Sequence, residues 1–318
     1  MNSRAQIRCL PDGHRLHLHD GPIDLIAEAF GAAGEVQAAY GAACERFTTV
    51  LDELCSELSL LRTALPGETG PDTYWPRGTV ARRMTAATLP YAAQHFITPM
   101  AAVAGAVADE ILAAMVAPAE LSRASVNDGG DIALHLSAGE KFAVGMVEVG
   151  RTEHSDRPSL FGTTTLDWSQ PVRGIATSGW RGRSFSLGIA DAVTVLADSA
   201  AAADAAATLI ANAVDLLGHP QILRVPAREL APDSDLLDLP VTQAVGELTR
   251  SEINQALSAG AGAAESLLQR GLIQAAALCL QGAVRIVGES EFCHMASAAR
   301  EGSLVHARGG RPKEGDLR

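Results

Sequence analysis

Asp204 and Thr208 stand four residues apart in an alanine-rich stretch, 199–217. If that stretch is a helix, the spacing puts a carboxylate and a hydroxyl on one face. Both are hard oxygen donors. They suit Mg²⁺, which keeps several waters and commonly takes a substrate phosphate as a further ligand. The competing reading is a solvated aspartate near a helix start, favoured by the helix dipole. Two glycine-rich stretches carry the other candidate binding groups. In Asn127-Asp128-Gly129-Gly130-Asp131, paired glycines permit positive φ and let a phosphate or flavin edge approach the backbone amides. A plain tight turn or β-bulge accounts for the same residues. In 174–179, Thr177, Ser178 and Gly179 close a strand with small, hydroxyl-bearing residues that could bond a phosphate. They could equally bond their own backbone.

His95, at the mouth of the helix that Thr98-Pro99 opens, is a candidate catalytic base, with a structural histidine as the alternative. His17-Leu18-His19 has the HxH form of metal-dependent amidohydrolases. The later barrel strands of that chemistry are not found, so His14, His17 and His19 read as outward-facing. Arg77, Arg82 and Arg83 form a cluster that could hold a carboxylate or phosphate, with surface solvation as the default.

The elements that must position these groups alternate between β and α. Residues 6–20 read as a hairpin around Pro11-Asp12-Gly13, with Leu16 and Leu18 inward. Residues 22–64 read as helix, with Pro22 in a first turn. A Pro- and Gly-rich loop covers 65–78. Thr98 caps a helix with a small-residue face at Ala101, Ala104, Gly105 and Ala108. Residues 121–150 read as strands paired across the turn 137–140, and 151–170 as irregular. Strands return at 172–176 and 186–197, followed by the alanine-rich helix. Two helices are expected near 241–258 and 262–282, and a disordered tail at 301–318. The pattern is α+β: one domain over 1–300, with a faint echo between 1–150 and 151–300 that suits a pseudo-duplicated fold.

The net charge of −12 and the absence of a basic stripe argue against nucleic acid as a partner. No uncharged apolar run of about 18 residues occurs, so no membrane span is expected. The start lacks a hydrophobic signal core. Five cysteines without a CxxC pair fit buried thiols in a reducing compartment. The protein therefore reads as cytoplasmic.

NDGGDIAL, GIATSG and the helix start in AVTVLADSAAAADAAAT follow one another in the order seen in the ApbE family of flavin transferases. FITPMAAVAGAVADEIL and SGWRGRSFSLGIADAVTVLA are closer still to an uncharacterised family of ApbE relatives in bacteria and archaea. The resemblance spans about residues 75–285. It implies an α+β, T-fold-related architecture of antiparallel sheets packed with helices, with Mg²⁺ and FAD or FMN as cofactors. By the same resemblance Asp204 and Thr208 match the metal ligands. Asn127, Gly129, Gly130 and Asp131 match the flavin-side turn, and Thr177, Ser178 and Gly179 the adjacent loop. Flavin transferases carry an HxIDPxTG-like segment where this chain reads WRGRSFSLGIAD. Of that pattern only Asp191 supplies a carboxylate, which makes it a second candidate base beside His95.

Three functions follow as expectations. One is binding of a flavin or phosphate-bearing small molecule with Mg²⁺, extending to FMN transfer onto a protein acceptor. Another is a component of a reductive heteroaromatic-acid enzyme, holding a substrate carboxylate on the arginine cluster. The last is a non-catalytic ligand-binding or assembly protein, its small-residue helix faces suiting a homo-oligomer.

Overall fold

The computed structural model describes residues 4–66, 75–148 and 159–288. The expected tail at 301–318 lies outside the described residues, as does Cys293.

The chain opens with β1 (Gln6–Cys9) and β2 (Arg15–Asp20), paired antiparallel as a hairpin. Leu16 and Leu18 are buried, as their alternation requires. The next segment departs from the helical expectation: residues 23–31 form a strand, β3 (Ile23–Gly31). Ile23, Leu25, Ala27 and Ala29 are buried in alternation with more exposed neighbours, a period of two. Pro22 sits in the turn beside Gly21, whose φ is +58°. Helix begins only at α1 (Ala33–Ser56), followed by short α2 (Leu58–Leu61) and α3 (Thr79–Thr88).

Pro99–Ala102 is one 3₁₀ turn leading into α4 (Val103–Val116). Thr98 precedes it without a capping bond, and its hydroxyl donates to Asp235 instead. Pro99–Val116 has the length and mean hydropathy, 1.6, of a membrane span, but it is interrupted by Asp109 and Glu110 and packs in the core. Then come β4 (Leu121–Asp128), β5 (Asp131–Leu136), β6 (Lys141–Glu148) and β7 (Ser159–Asp167). The turn at 137–140 does not pair its flanking strands: β6 pairs with β7, and part of the stretch expected to be irregular is strand.

The second half runs β8 (Gly174–Ser178), β9 (Ala192–Ala197), α5 (Ala200–Ala213), β10 (Ile222–Pro226), α6 (Ala227–Leu230), β11 (Pro240–Val245), α7 (Arg250–Gln269), β12 (Ala275–Leu280) and β13 (Ala283–Gly288). Residues expected to form helix at 241–258 and 262–282 therefore include two strands, β11 and β12, around one continuous helix. The start of α7 is fixed by a capping box between Thr249 and Glu252. AAALCL in β12 is buried on both faces, so it carries no alternation to betray it.

Nine strands form one antiparallel sheet in the order β1-β2-β3-β4-β5-β8-β9-β12-β13. Each half places a hairpin, then helices, then a second hairpin beside the first. Helices α1, α4, α5 and α7 pack in that order over one face. The β6–β7 ribbon covers part of the other, where Val144 and Leu166 meet Leu134, Val172 and Ile175. The architecture is α+β. The small-residue face of α4 is used within the fold: a Cβ on Gly105 would lie 2.3 Å from the Ala200 carbonyl oxygen of α5. Cys9 and Cys55 are exposed, which corrects the expectation of uniformly buried thiols.

Candidate functional site

The halves of the sheet meet at β5 and β8, and that join is short. Only Ile132–Ile175 and Ala133–Gly174 are in register. One residue further on, the side chain of Asp131 enters the gap, and its Oδ1 accepts the Thr177 N–H at 3.2 Å. The seam opens there into a cleft of about 540 Å³.

The Gly129–Gly130 turn forms part of its lining. Gly129 (φ +64°) and Gly130 (φ +119°) have the positive φ that a two-residue hairpin turn demands. The Asn127 side chain accepts the Gly130 N–H at 2.9 Å. The tight-turn reading of this motif is thus met, and the same turn faces the cleft. The Thr177 and Thr194 hydroxyls share a hydrogen bond of 2.9 Å. Gly179 permits a close backbone crossing, since a Cβ there would lie 2.4 Å from the Asp191 carbonyl oxygen.

The α4–α5 contact delivers Asp204. Its Oδ2 accepts the Gly105 N–H at 3.0 Å, so this aspartate caps the start of α4 rather than its own helix. Asp109 of α4 returns the arrangement, accepting from Ala200 N–H at 3.0 Å and Ala201 N–H at 2.9 Å. Asp204 therefore faces α4 and the cleft, half-buried rather than fully solvated. One turn on, Thr208 lines the same cleft. Unlike Thr85 and Thr88, which bond back to carbonyls of their own helix, its hydroxyl has no partner among the described residues.

Three carboxylates now lie near one another. Burial pushes Asp204 up to about 7, against the pull of the Gly105 N–H, with nearby Asp128 adding repulsion. Burial likewise pushes Asp128 up to about 7, Arg183 opposing it. Asp131 is raised by burial and by the charge of Asp204. These acids hold protons more tightly in the folded chain than in the unfolded one, where aspartate titrates near 4. Their contribution is full below about pH 4 and is lost as pH rises through about 7. Asp204→Asn, which keeps a cap acceptor but not the charge, is therefore expected to gain stability relative to wild type as pH rises from 5 to 8. Thermal melts in chelator at the two pH values check this, and an unchanged difference would contradict it.

Two arginines absent from the sequence reading complete the cleft. Arg181 donates from Nε to Asp191 Oδ1 at 3.1 Å and lies 4.3 Å over the Trp180 ring. Arg183 faces Asp128 at 3.6 Å. The Gly between them, just after the Thr177–Gly179 turn, was the available signal: alternate arginines emerging from a glycine-rich loop. Asp191 lines the cleft, buried, with both oxygens engaged. Oδ1 also accepts from Trp180 Nε1 at 3.2 Å, and Oδ2 accepts from Gln281 N–H at 2.5 Å.

A recess of about 330 Å³ adjoins the cleft, sharing Asp131, Arg183, Asp204 and Thr208 with it and adding Phe96, Met100, Phe185 and Leu236. His95 lines neither space and is exposed. His17 and His19 face outward as expected, His17 Nε2 lying 2.5 Å from Asp24 Oδ1. The arginine cluster is not at the cleft. Arg83 is tied to Glu110 at 2.9 Å, Glu110 also takes Arg46 and Thr79, and Arg82 bonds the Pro76 carbonyl. Arg46 and Arg83 brace α1, α3 and α4 because Glu110, buried on α4, needs counter-charge.

Among the described residues no three His, Cys, Asp or Glu side chains group closely enough to hold a metal by themselves. Mg²⁺ needs less. Two carboxylates and a free hydroxyl, all hard oxygens, match an ion that completes its shell with water and phosphate. Burial is the main cause of the upward shift of these acids, with repulsion between neighbouring carboxylates adding to it, and a bound cation would relieve both. The residues fit the ion.

Residues 7–286 match the model of the family described as AbpE bacteria. A UPF0280 protein from Methanopyrus kandleri is 39% identical over 134 residues, covering 42% of this chain and 48% of that protein. One from Methanothermobacter thermautotrophicus is 42% identical over 123 residues, covering 37% and 43%. The chain thus spans about half the length of the curated relatives it matches. Among solved structures, the apo form of Pseudomonas stutzeri flavinyl transferase ApbE aligns with a TM-score of 0.42 at 13% identity, covering 92% of this chain and 98% of that one.

Proposed function

Because the chain belongs to the AbpE bacteria family, we propose that its seam cleft binds a phosphate-bearing, flavin-like small molecule together with Mg²⁺. The supporting observation is the meeting of opposite charges in one cleft: Asp131, Asp204 and the free Thr208 hydroxyl, with Arg181, Arg183 and the Gly129–Gly130 backbone. An anion alone would be repelled by the acids, and a cation alone by the arginines. A diphosphate carried with a divalent cation satisfies both.

Asp131, Asp204 and Thr208 would hold the cation, whose chemistry there is to neutralise the diphosphate and stabilise a leaving phosphate. Asp191 acts as a positioning residue: with Trp180 it fixes the Arg181 stem and leaves the terminal N–H groups for phosphate. The Gly129–Gly130 turn lets the ligand approach the backbone where a side chain would block it.

The three motifs follow one another along the sequence in the order seen in flavin transferases, which supports a transfer reaction built on this binding. An acceptor hydroxyl oxygen bonds to the flavin-side phosphorus, the diphosphate P–O bond breaks, and AMP leaves with the electron pair. The hydroxyl proton passes to a base; of the two candidates Asp191 lines the cleft and His95 does not, and taking the proton would require Asp191 to release one of its present donors.

Adding FAD to the purified protein is expected to shift the flavin absorbance in the presence of Mg²⁺ and not in chelator. An unshifted spectrum under both conditions would sink the binding proposal. Incubation with FAD, Mg²⁺ and a threonine-bearing protein acceptor tests transfer separately, through release of AMP. Intact FAD would remove transfer to that acceptor and leave binding standing.

A further inference from the structure

The guanidinium of Arg183 crosses the Gly129 turn so closely that a Cβ at Gly129 would lie 2.1 Å from its Nη2. Beyond the turn lies Asp128, whose side chain is 5% exposed and whose Oδ1 has no hydrogen-bond partner among the described residues. The 3.6 Å between Nη2 and that oxygen is an ion pair longer than a hydrogen bond. Among the described residues a buried carboxylate oxygen is thus left without a donor, while the arginine facing it is 64% exposed and makes no hydrogen bond within 3.5 Å. Among the described residues, Arg183 is also the one arginine that lines both the cleft and the recess. It stands where a ligand spanning the two must pass, beside Asp204 and Asp131.

We propose that Arg183 is the anion-binding arm of this site, resting on Asp128 across the Gly129 turn and exchanging that carboxylate for a ligand phosphate at the junction of cleft and recess. The proposal rests on the phosphate reading of the cleft. Its physical basis is an unequal competition. Asp128 offers one oxygen, buried and too distant for a hydrogen bond. A phosphate at the junction offers a bidentate, charge-assisted pair to the planar fork. Gly129 is required twice over, for its positive φ and for the space the guanidinium occupies. Asp128 keeps the arm beside the cleft without satisfying it. Arg181, fixed by Asp191 and Trp180, supplies a static charge, and Arg183 supplies the one that moves.

The test is calorimetric titration with inorganic pyrophosphate at fixed Mg²⁺. Arg183→Gln, an exposed change, is expected to bind about tenfold more weakly than wild type, with Arg183→Lys between them because it keeps the charge and loses the fork. Asp128→Asn is expected to bind several-fold tighter, since the arm no longer has a competing carboxylate. That gain should vanish in the Arg183→Gln background. Equal affinity of Arg183→Gln and wild type overturns the proposal. So does an Asp128→Asn gain that persists without Arg183, which would mark simple removal of negative charge. Failure of wild type to bind pyrophosphate at all overturns the phosphate reading itself, and that outcome is distinct from the other two.

Discussion

Asp204→Asn is expected to fold normally and to lose Mg²⁺-dependent ligand affinity by about a hundredfold, or about 2.7 kcal/mol. The prediction separates two roles that one side chain performs. As a cap, Asp204 accepts the Gly105 N–H, and an asparagine oxygen can accept the same bond. As a cation ligand it contributes charge, which asparagine lacks. Asp204→Ala removes both, and is expected to lose about 1 kcal/mol of stability as well as affinity. If the aspartate were only a cap, Asp204→Asn would bind FAD and Mg²⁺ like the wild type while Asp204→Ala melted lower. Fluorescence titration of FAD, alongside thermal melts of both variants, distinguishes the cases. The asparagine variant should also be the more stable protein at pH 8, since it removes an acid whose ionisation is opposed by burial.

Gly105→Ala is expected to cost about 3 kcal/mol and to lower Tm by several degrees. Its Cβ would lie 2.3 Å from the Ala200 carbonyl oxygen and 2.7 Å from the Ala201 nitrogen, so α4 and α5 must separate. Neither obstacle is a flexible side chain; both belong to the backbone of α5 where its first turn is held by Asp109. Separation also stretches the Asp204 cap, so ligand affinity should fall together with stability. Gly41→Ala provides the contrast. Gly41 is exposed on α1 with nothing within 4 Å of an added Cβ, and its replacement should stabilise by up to about 1 kcal/mol. Denaturant unfolding of the two variants checks the pair. A neutral Gly105→Ala would mean that the two helices do not pack as closely as described.

These effects trace back unevenly to the sequence. The opening hairpin was legible because Leu16 and Leu18 alternate with polar residues around a Pro-Asp-Gly turn. The start of α5 was legible from the alanine run that begins at 200, and the structure adds the Ser199 side-chain cap. The strand at 23–31 was not, because Pro22 also suits a first helical turn and the long apolar stretch after it hid a change from period two to period 3.6. β12 gave no periodic signal because both of its faces are covered. The pairing of β6 with β7 depends on residues far along the chain, which local patterns do not register.

The site divides in the same way. The glycine turn, Asp131, Thr177 and Asp204 stood out by type and spacing, and the seam between β5 and β8 brings them into one cleft. Asp128 and Arg183 acquire meaning only when two segments more than fifty residues apart meet over Gly129. Arg83 misled because a charge cluster in a sequence does not reveal the buried Glu110 that it serves.

A crystal structure of the protein grown with FAD and Mg²⁺ bears on the cleft most directly. Diphosphate density between the Asp131–Asp204 pair and Arg181–Arg183, with a cation on Asp204, is the expected result. Flavin bound elsewhere on the molecule, or a cleft without diphosphate at saturating FAD and Mg²⁺, would contradict it.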